Sequence, residues 1–376
     1  MLLLGAAALC RAALPAVGSV PPKYKLVQLQ VVVLHGARAP YSDFMSKEER
    51  GVWRCDSTSA ISGRIEATPV TFPRRIRTVL DPRLADYPPS CVTGDLTVAG
   101  MEQMQNLGKA YHSWHTEIGF LSESLNPSEL AIRSTSATRN FKAAVAFLNG
   151  LYEPESKNEF VDITATNVFT PAKQCKAIMK LNRDYKASKA YRQLVKEMEE
   201  KMSDCKSFFG NQSYVDTAEQ ICEWITTMSV NGQPLPSKVT DDHIDFCQTV
   251  RADILFGTFF PNNESSSIGF SAAMRAMTEL MNDFVAQATS QKLVVVTVDE
   301  DSICAMLSLL QNRRKKVPKF GSHLELQLLR DKAGKLFIRF VLNGKPLTLP
   351  SFDNSELVRL DTWAATIGSR IDSVCI

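Results

Sequence analysis

The chain has 376 residues, of which 44% are hydrophobic and 22% are charged, and its formal net charge at pH 7 is +3. This length and composition suffice for a large hydrophobic core, either in one α/β domain with an insertion or in two domains. The near balance of positive and negative charges gives no reason to expect nucleic acid or an anionic membrane surface as a partner.

The amino-terminal residues 1–18 have the pattern of a signal peptide. An apolar run fills residues 2–10, too short for a membrane span, and the small residues Ala16 and Gly18 suit cleavage before Ser19. A signal peptide directs the chain to the secretory pathway, as a secreted or lysosomal protein. The glycosylation sequons at Asn211 and Asn263 agree with this prediction.

Nine cysteines occur, and Cys10 would leave with the signal peptide. No pair has C-x-x-C spacing, which argues against a zinc site. Cys304 lies in an apolar helical stretch and is predicted to be a core thiol. In an oxidising compartment, disulfides are predicted for most of the following cysteines: Cys55, Cys91, Cys175, Cys205, Cys222, Cys247 and Cys375.

The first part of the chain alternates between strand and helix patterns. Residues 26–34 are predicted to form a buried strand, followed by a helix over 98–115 with Thr97 as its N-cap. A second strand over 129–133 and a second helix over 136–151 follow. This order is typical of a parallel sheet covered by helices.

The middle of the chain has few strand-like runs. Residues 155–265 are predicted to be a mostly helical cap over the active edge of the sheet. The flanking segments 24–154 and 266–376 would then form one α/β core. No membrane-spanning segment is predicted in the mature chain.

The α/β pattern resumes after the cap. A helix is predicted over 270–287 and a buried strand over 292–298, followed by a hairpin whose second strand ends at Asn343-Gly344. The last segment, 352–376, is predicted to be helical.

The strand at 26–34 runs directly into a His-Gly-x-Arg-x-Pro loop, which is the most informative motif in the chain. The carboxyl end of a strand in an open α/β sheet is where ligands bind. Phosphoryl transfer requires a nucleophile aimed at phosphorus and cations that hold the phosphate oxygens. His35 is the candidate nucleophile and Arg38 the first candidate phosphate ligand, because a guanidinium matches the geometry of phosphate.

A second strand-end loop contains Arg133, the second candidate phosphate ligand, just before a helix whose first N–H groups favour anions. Arg139, one turn into that helix, either supports the site or forms a structural ion pair. A third loop, Asp299-Glu300-Asp301, follows a buried strand. Its acids either serve the site, alone or by binding a hard cation, or form a solvated cluster at a helix N-terminus.

These motifs together resemble the histidine acid phosphatases, in branch 2 of the histidine phosphatase superfamily. The resemblance rests on the loop at 31–40, on GDLTVAGMEQMQNLGKAY at 94–111, on the Arg-Ser-Thr helix at 132–154 and on the closing hairpin at 320–350. It implies a three-layer α/β/α core like that of phosphoglycerate mutase, with a helical cap. It further implies a phosphohistidine mechanism at acid pH on a phosphomonoester or phosphate, without metal or cofactor, in a secreted or lysosomal protein that is often a homodimer.

Carried over residue by residue, the resemblance assigns His35 as the nucleophile and Arg38 and Arg133 as phosphate ligands. Two positions depart from the family pattern. Leu34 stands where the loop has its first arginine. The family's His-Asp pair, a phosphate ligand followed by a proton donor, is also missing.

The missing His-Asp pair aligns with Asp299-Glu300, or with Glu300-Asp301 if shifted by one residue. In either register an acid replaces the histidine, and Glu300 or Asp301 remains as the candidate proton donor. Each lost donor to a transition-state oxyanion costs about 10²–10³ in rate.

Two hypotheses follow from these departures. The first is a phosphomonoesterase with strongly reduced activity. The second is a catalytically inactive protein that keeps the fold and binds a phosphorylated ligand or a protein partner.

Overall fold

The computed structural model describes residues 15–41, 53, 55, 91–153, 161–166, 168–169, 176–208, 214–259 and 271–368. Within these residues, eight strands form one mixed sheet in the order β3-β2-β4-β1-β5-β6-β7, with β8 paired to β6. Strands β1 to β4 are mutually parallel where they pair, and β5 to β8 extend the sheet with antiparallel pairs. Their bounds are β1 Lys25–Leu34, β2 Leu130–Ser134, β3 Ile163–Ala165, β4 Leu293–Val298, β5 His323–Arg330, β6 Leu336–Leu342, β7 Lys345–Pro346 and β8 Val358–Arg359.

Helices cover both faces of the sheet, which makes the core a three-layer α/β/α sandwich. Side chains on one face of β1, such as Val31 and Val33, pack against α1 and α2, and those on the other face, such as Val32, pack against α7, α8 and α9. The helix bounds are α1 Val98–Glu117, α2 Thr138–Leu151, α3 Lys176–Lys186, α4 Lys189–Lys201, α5 Tyr214–Val230, α6 Asp241–Phe259, α7 Ser271–Val285, α8 Glu300–Leu309 and α9 Leu360–Gly368.

The sequence patterns located most of these elements within a few residues. Both faces of the sheet are covered, so β1 and β4 are largely apolar and almost fully buried. Thr97 caps α1 by accepting a hydrogen bond from the Gly100 N–H at 3.1 Å. The prediction of a helix over 352–376 was wrong at its start, because β8 joins the edge of β6 before α9 begins. Residues after 368 lie outside the described part of the chain.

Helices α3 to α6 lie between the two halves of the core in sequence. They have a hydrophobic cluster of their own, which includes Met198, Ile221, Trp224 and Ile254. Contacts between α6 and α8 connect these helices to the core. None of the helices in the described part of the chain is long and apolar enough to span a membrane.

The described residues include the disulfides Cys55–Cys91 and Cys222–Cys247, and the second joins α5 to α6. Cys304 is a buried thiol, as predicted. Cys205 is also a free buried thiol, unlike most of the cysteines for which disulfides were predicted. Cys175 and Cys375, the two sequons at Asn211 and Asn263, and residues 1–14 of the predicted signal peptide lie outside the described residues.

Candidate active site

The site lies at the carboxyl edge of the parallel strands, where the loops after β1 and β4 meet. His35 follows the last residue of β1, and Asp299 is the N-cap residue of α8 directly after β4. The His35 N–H donates to the Val298 carbonyl at 3.2 Å, which fixes the two loops against each other. Two strand ends thus bring together residues that are 264 positions apart in the sequence.

His35 is completely buried, and its ring has a defined orientation. Its Nδ1 lies 2.8 Å from the Gly36 carbonyl oxygen. A carbonyl only accepts hydrogen bonds, so Nδ1 carries the proton and Nε2 carries the lone pair in the neutral ring. Nε2 has no hydrogen-bond partner among the described residues, as expected of a nitrogen presented for nucleophilic attack.

A carboxylate lies in front of that nitrogen. Asp299 Oδ1 is 3.5 Å from His35 Nε2, and the Asp299 carboxylate accepts two hydrogen bonds from Arg139, each of 2.7 Å. The Asn140 amide donates a further bond to Asp299 Oδ1 at 3.1 Å. A guanidinium and an amide therefore bind a planar anion directly opposite the imidazole.

Arg38 is also completely buried, and it binds internal anions. Its Nη1 forms a hydrogen-bonded ion pair with Glu223 of α5, and its Nη2 lies 3.5 Å from Glu300 Oε2. The Tyr41 ring stacks on the guanidinium, with its centroid 3.6 Å from the Arg38 Cζ atom. The positive charge of Arg38 is thus balanced by a carboxylate from α5 and by one from α8.

Glu300 forms a second ion pair, with Arg251 of α6. Arg251 of α6 donates from Nη2 to Glu300 Oε2 at 2.8 Å and from Nη1 to Thr226 Oγ1 at 3.1 Å. Near His35, three guanidinium groups therefore contact three carboxylates: Arg38 with Glu223 and Glu300, Arg139 with Asp299, and Arg251 with Glu300.

These surroundings shift the pKa values of the site in definite directions. Burial lowers the pKa of His35 to about 4, although Asp299 acts in the opposite direction. Burial would raise the pKa of Glu300, but Arg251 and Arg38 outweigh it and hold that pKa at about 2. Between about pH 4 and 6 the imidazole is therefore neutral and the Glu300 carboxylate is charged.

The remaining predicted site residues are Arg133, Leu34 and Asp301. Arg133 is in β2 and half-buried, with the pKa of its guanidinium lowered by burial, and no ion pair joins it to Asp299 or Glu300. Leu34 is fully buried in the hydrophobic cluster between the sheet and helices α7 to α9. Asp301 is buried in the first turn of α8.

Several residues of the site escaped the sequence analysis. Glu223 and Arg251 come from helices that follow no recognisable motif, and Asn140 lies beside the Arg139 whose role was left open. Glu223 is a lone charge in the apolar helical stretch ICEWITTM, and Arg251 lies in the largely apolar stretch TVRADILF, where Asp253 is the only other charge. A single charge in such a stretch requires a buried partner, and this was the available signal.

A cavity of about 220 Å³ opens beside the site. Glu300 and Arg251 form part of its wall, and Phe320, whose ring centroid is 5.4 Å from that of His35, forms another part. The other side chains at this opening include Gln103, Ser229, Gln248 and Lys319. The described residues contain no group of three or more histidine, cysteine, aspartate or glutamate side chains arranged to hold a metal ion.

An α/β/α sandwich with a histidine presented at the end of its first strand defines a class of phosphoryl-transfer fold. The family model of the histidine phosphatase superfamily (branch 2) matches residues 25–343. The chain therefore belongs to that superfamily.

Individual relatives agree with this assignment. The chain is 22% identical to counting factor 60 of Dictyostelium discoideum over 346 residues, covering 86% of this chain and 81% of that protein. It is 24% identical to a probable acid phosphatase of Schizosaccharomyces pombe, covering 84% and 75%. The solved structure of Hafnia alvei phytase in complex with tartrate has the same fold, with a TM-score of 0.66 at 13% identity, over 95% of this chain and 99% of that chain.

Proposed function

We propose that this chain is a histidine acid phosphatase with strongly reduced activity toward phosphomonoesters. The observation that carries the proposal is the Asp299 carboxylate, which lies 3.5 Å from His35 Nε2 and is bound by Arg139. Phosphate would need to bind at the same face of the imidazole. The site thus keeps its nucleophile and fills the space in front of it with an anion of its own.

The chemistry that remains is attack by His35. In this reaction Nε2 forms a bond to phosphorus while the bond from phosphorus to the leaving oxygen breaks, and water later cleaves the phosphohistidine to phosphate. The Gly36 carbonyl supports this role by keeping the Nδ1 proton in place. A neutral imidazole is available above about pH 4 because burial lowers the pKa of His35.

Binding of the phosphate dianion is the step that is impaired. A bound phosphate must displace Asp299 from Arg139 and share Arg38 with Glu223 and Glu300. Leu34 contributes no donor. Losing two charge-assisted donors at about 10²–10³ each reduces the rate by about 10⁴ or more if their effects add.

Protonation of the leaving oxygen is impaired as well. Glu300 has a pKa of about 2, so it is charged at the pH of an acid phosphatase and is a poor proton donor. Asp301 remains the second candidate for this role. Poor general-acid catalysis makes turnover depend strongly on the stability of the leaving group.

The cellular setting is proposed on the same basis. Disulfides such as Cys222–Cys247 form in oxidising compartments, which supports a secreted or lysosomal location and agrees with the predicted signal peptide and sequons. The proposed ligand is a small phosphomonoester or inorganic phosphate. A homodimer remains an expectation from the family.

The test compares two substrates at pH 5 with wild-type protein and with His35→Ala. We expect slow turnover of 4-nitrophenyl phosphate, which leaves without protonation, and about 10²–10⁴-fold slower turnover of glycerol 2-phosphate, which needs an acid. Both activities should be lost in His35→Ala. Equal rates on the two substrates, or turnover that survives His35→Ala, would contradict the proposal.

The second candidate function is phosphate-ligand binding without turnover. The Arg38–Glu223 ion pair favours it, because a loop cation held by the helical region is poorly available to a transition state. Trapping with labelled 4-nitrophenyl phosphate and rapid quenching separates the two candidates. A labelled His35 identifies the enzyme, whereas reversible binding with no label identifies the binding protein.

A further inference from the structure

A second and larger cavity lies at the opposite edge of the sheet from His35. Its volume is about 490 Å³, and it opens at the amino ends of β1 and β4. We propose that this basal cavity binds a small amphiphile with a single alkyl chain and an anionic head group. Most of its wall is apolar: Val20, Pro21, Pro22, Tyr24, Leu26, Val27, Ile118, Phe120 and Phe284.

The basal cavity is separate from the candidate active site. Lys25 at its wall and Leu34 beside His35 are the first and last residues of β1. The eight strand residues between them correspond to a separation of about 30 Å. Occupation of one site therefore requires nothing of the other, and this inference does not depend on the proposed phosphatase function.

Among the described residues that line the basal cavity, the charged ones are all positive. Lys25 and Arg330 line it as exposed side chains, and they are direct partners on the antiparallel strands β1 and β5. Like charges directly opposite each other on neighbouring strands are destabilising. An anion bound between them removes this repulsion, which identifies the position of the head group.

The third cation, Lys292, has a different role. Its Nζ lies 2.6 Å from Glu129 Oε1, so its charge is already balanced within the protein. The head group is accordingly assigned to Lys25 and Arg330. Binding to these two side chains places the anionic head group at the rim of the cavity. The apolar wall then remains for the alkyl chain.

The apolar wall suits an alkyl chain. Ligand pockets for molecules of this size enclose about 300–1,000 Å³ and are mostly hydrophobic with a few polar groups. Phe120 and Leu26 are buried in the wall, while Ile118 keeps 42% of its surface exposed at the rim. A bound alkyl chain covers that exposed surface, which favours a small amphiphile over an inorganic anion.

Calorimetric titration of the wild-type chain with monomeric alkyl carboxylates tests this inference. We expect saturable one-to-one binding of dodecanoate, with affinity rising roughly fourfold per methylene from octanoate to dodecanoate. Dodecyltrimethylammonium, which has the same alkyl chain and a positive head, should bind at least tenfold more weakly. No saturable binding, or equal binding of the cationic amphiphile, would overturn the assignment.

Variants locate the binding. Arg330→Gln and Lys25→Gln should each weaken dodecanoate binding about tenfold, and Ile118→Glu should abolish it by placing a carboxylate at the rim. The control Arg314→Gln changes an exposed arginine in the loop after α8 and should bind normally.

His35→Ala should also bind dodecanoate normally, which separates this test from that of the phosphatase proposal. Unchanged affinity in both Arg330→Gln and Ile118→Glu would refute the basal cavity as the site. Binding to vesicles of anionic lipid without binding of monomeric dodecanoate would assign this face to a membrane instead, and would also refute it.

Discussion

Asp299 is the residue on which the interpretation of this site depends. In one of the two registers that the resemblance allows, Asp299 stands where the histidine acid phosphatases have a phosphate-binding histidine, and here its carboxylate binds Arg139. The exchange reverses the charge available to a substrate at a partly buried position. It also explains why Arg139, left open by the sequence, forms a bidentate ion pair.

Glu223 forms an ion pair with Arg38, as Asp299 does with Arg139. Replacing Glu223 gives the first prediction. Glu223→Gln keeps a side chain that can bond to Thr227 and Tyr41 but leaves the buried Arg38 cation without its strongest partner. Breaking a buried ion pair costs about 3–5 kcal/mol of unfolding free energy. We expect a lower thermal unfolding midpoint, which added phosphate restores by binding Arg38.

The control for this prediction is Glu200→Gln, which removes an exposed partner of Lys196 on α4. Such pairs contribute about 0–1 kcal/mol, so its midpoint should barely move and should not respond to phosphate beyond the wild-type response. A Glu223→Gln protein with no phosphate-dependent recovery would argue that Arg38 is unavailable to phosphate.

The sequence could identify residues within one loop but not partners across the fold. His35 and Arg38 lie in a recognisable strand-end motif, so their position in one loop was predictable. Glu223 and Arg251 reach the site from α5 and α6, and their contacts depend on how those helices pack on the core. The charge balance of the site therefore required the structure.

Close packing between the His35 loop and α1 fixes where His35, the proposed nucleophile, lies. A Cβ atom added at Gly100 would meet the Ala37 carbonyl oxygen at 2.0 Å, and one added at Gly36 would meet the Gly100 carbonyl oxygen at 2.1 Å. The backbones of loop and helix are therefore in direct contact. Only glycine allows this approach at both positions.

Gly100→Ala should consequently displace the loop. We expect a loss of unfolding free energy of about 1–3 kcal/mol from overpacking, together with loss of any His35-dependent activity. Urea unfolding followed by circular dichroism measures the first effect. Ser113→Ala, an exposed change on the same helix, is the control, and equal stability of the two variants would contradict this account.

The segment before β1 gives a prediction about processing. The Gly18 N–H donates to the buried Glu325 Oε1 at 2.8 Å, and the Ala16 carbonyl lies 3.1 Å from His323 Nε2. Cleavage before Ser19 removes both contacts. A chain beginning at Ser19 should thus be about 1–3 kcal/mol less stable than one beginning at Pro15.

Urea unfolding of the two purified chains measures that difference, and the intact mass of protein secreted from eukaryotic cells locates the natural amino terminus. Equal stability of the two chains would mean that the Glu325 contact contributes nothing. A secreted chain that retains residues 1–14 would refute the signal peptide.

Element order was predictable where the pattern was long and strong. The largely apolar runs of β1 and β4 and the helical spacing of α1 identify these elements. The two-residue strand β8 has no pattern of its own and exists because β6 offers it an edge. Similarly, the sequence could not show that Cys205 is a free thiol, because disulfide pairing depends on distances between cysteines that the sequence does not contain.

Buried histidines make the protein as a whole sensitive to acid. Burial lowers the pKa of His35 and of His115 to about 4, and it lowers the pKa of His323 as well. The unfolded chain takes up protons near pH 6.5, before the folded chain does. Stability should therefore decrease as the pH falls from about 6.5 to 4.

Glu300 extends this loss to lower pH. Its pKa lies below the unfolded value, so its contribution is present above about pH 4.5 and disappears as the pH falls toward 2.

The contribution of His35 to this loss of stability can be measured with His35→Gln, whose side chain stays neutral at every pH. Between pH 6.5 and 4 the wild type should lose about 3 kcal/mol more unfolding free energy than this variant. Urea unfolding at closely spaced pH values provides the comparison. An identical pH dependence in the two proteins would contradict the buried, neutral state assigned to His35.

The central claim is that the protein's own carboxylates fill the phosphate site, and phosphate affinity tests it most directly. Calorimetric titration with orthophosphate at pH 5 should compare wild type with Asp299→Asn, which keeps the side-chain shape and frees Arg139, and with the exposed control Asp283→Asn on α7. Relative to wild type, we predict at least tenfold tighter phosphate binding for Asp299→Asn and an unchanged phosphate affinity for Asp283→Asn. Wild-type binding as tight as that of Asp299→Asn would contradict the account.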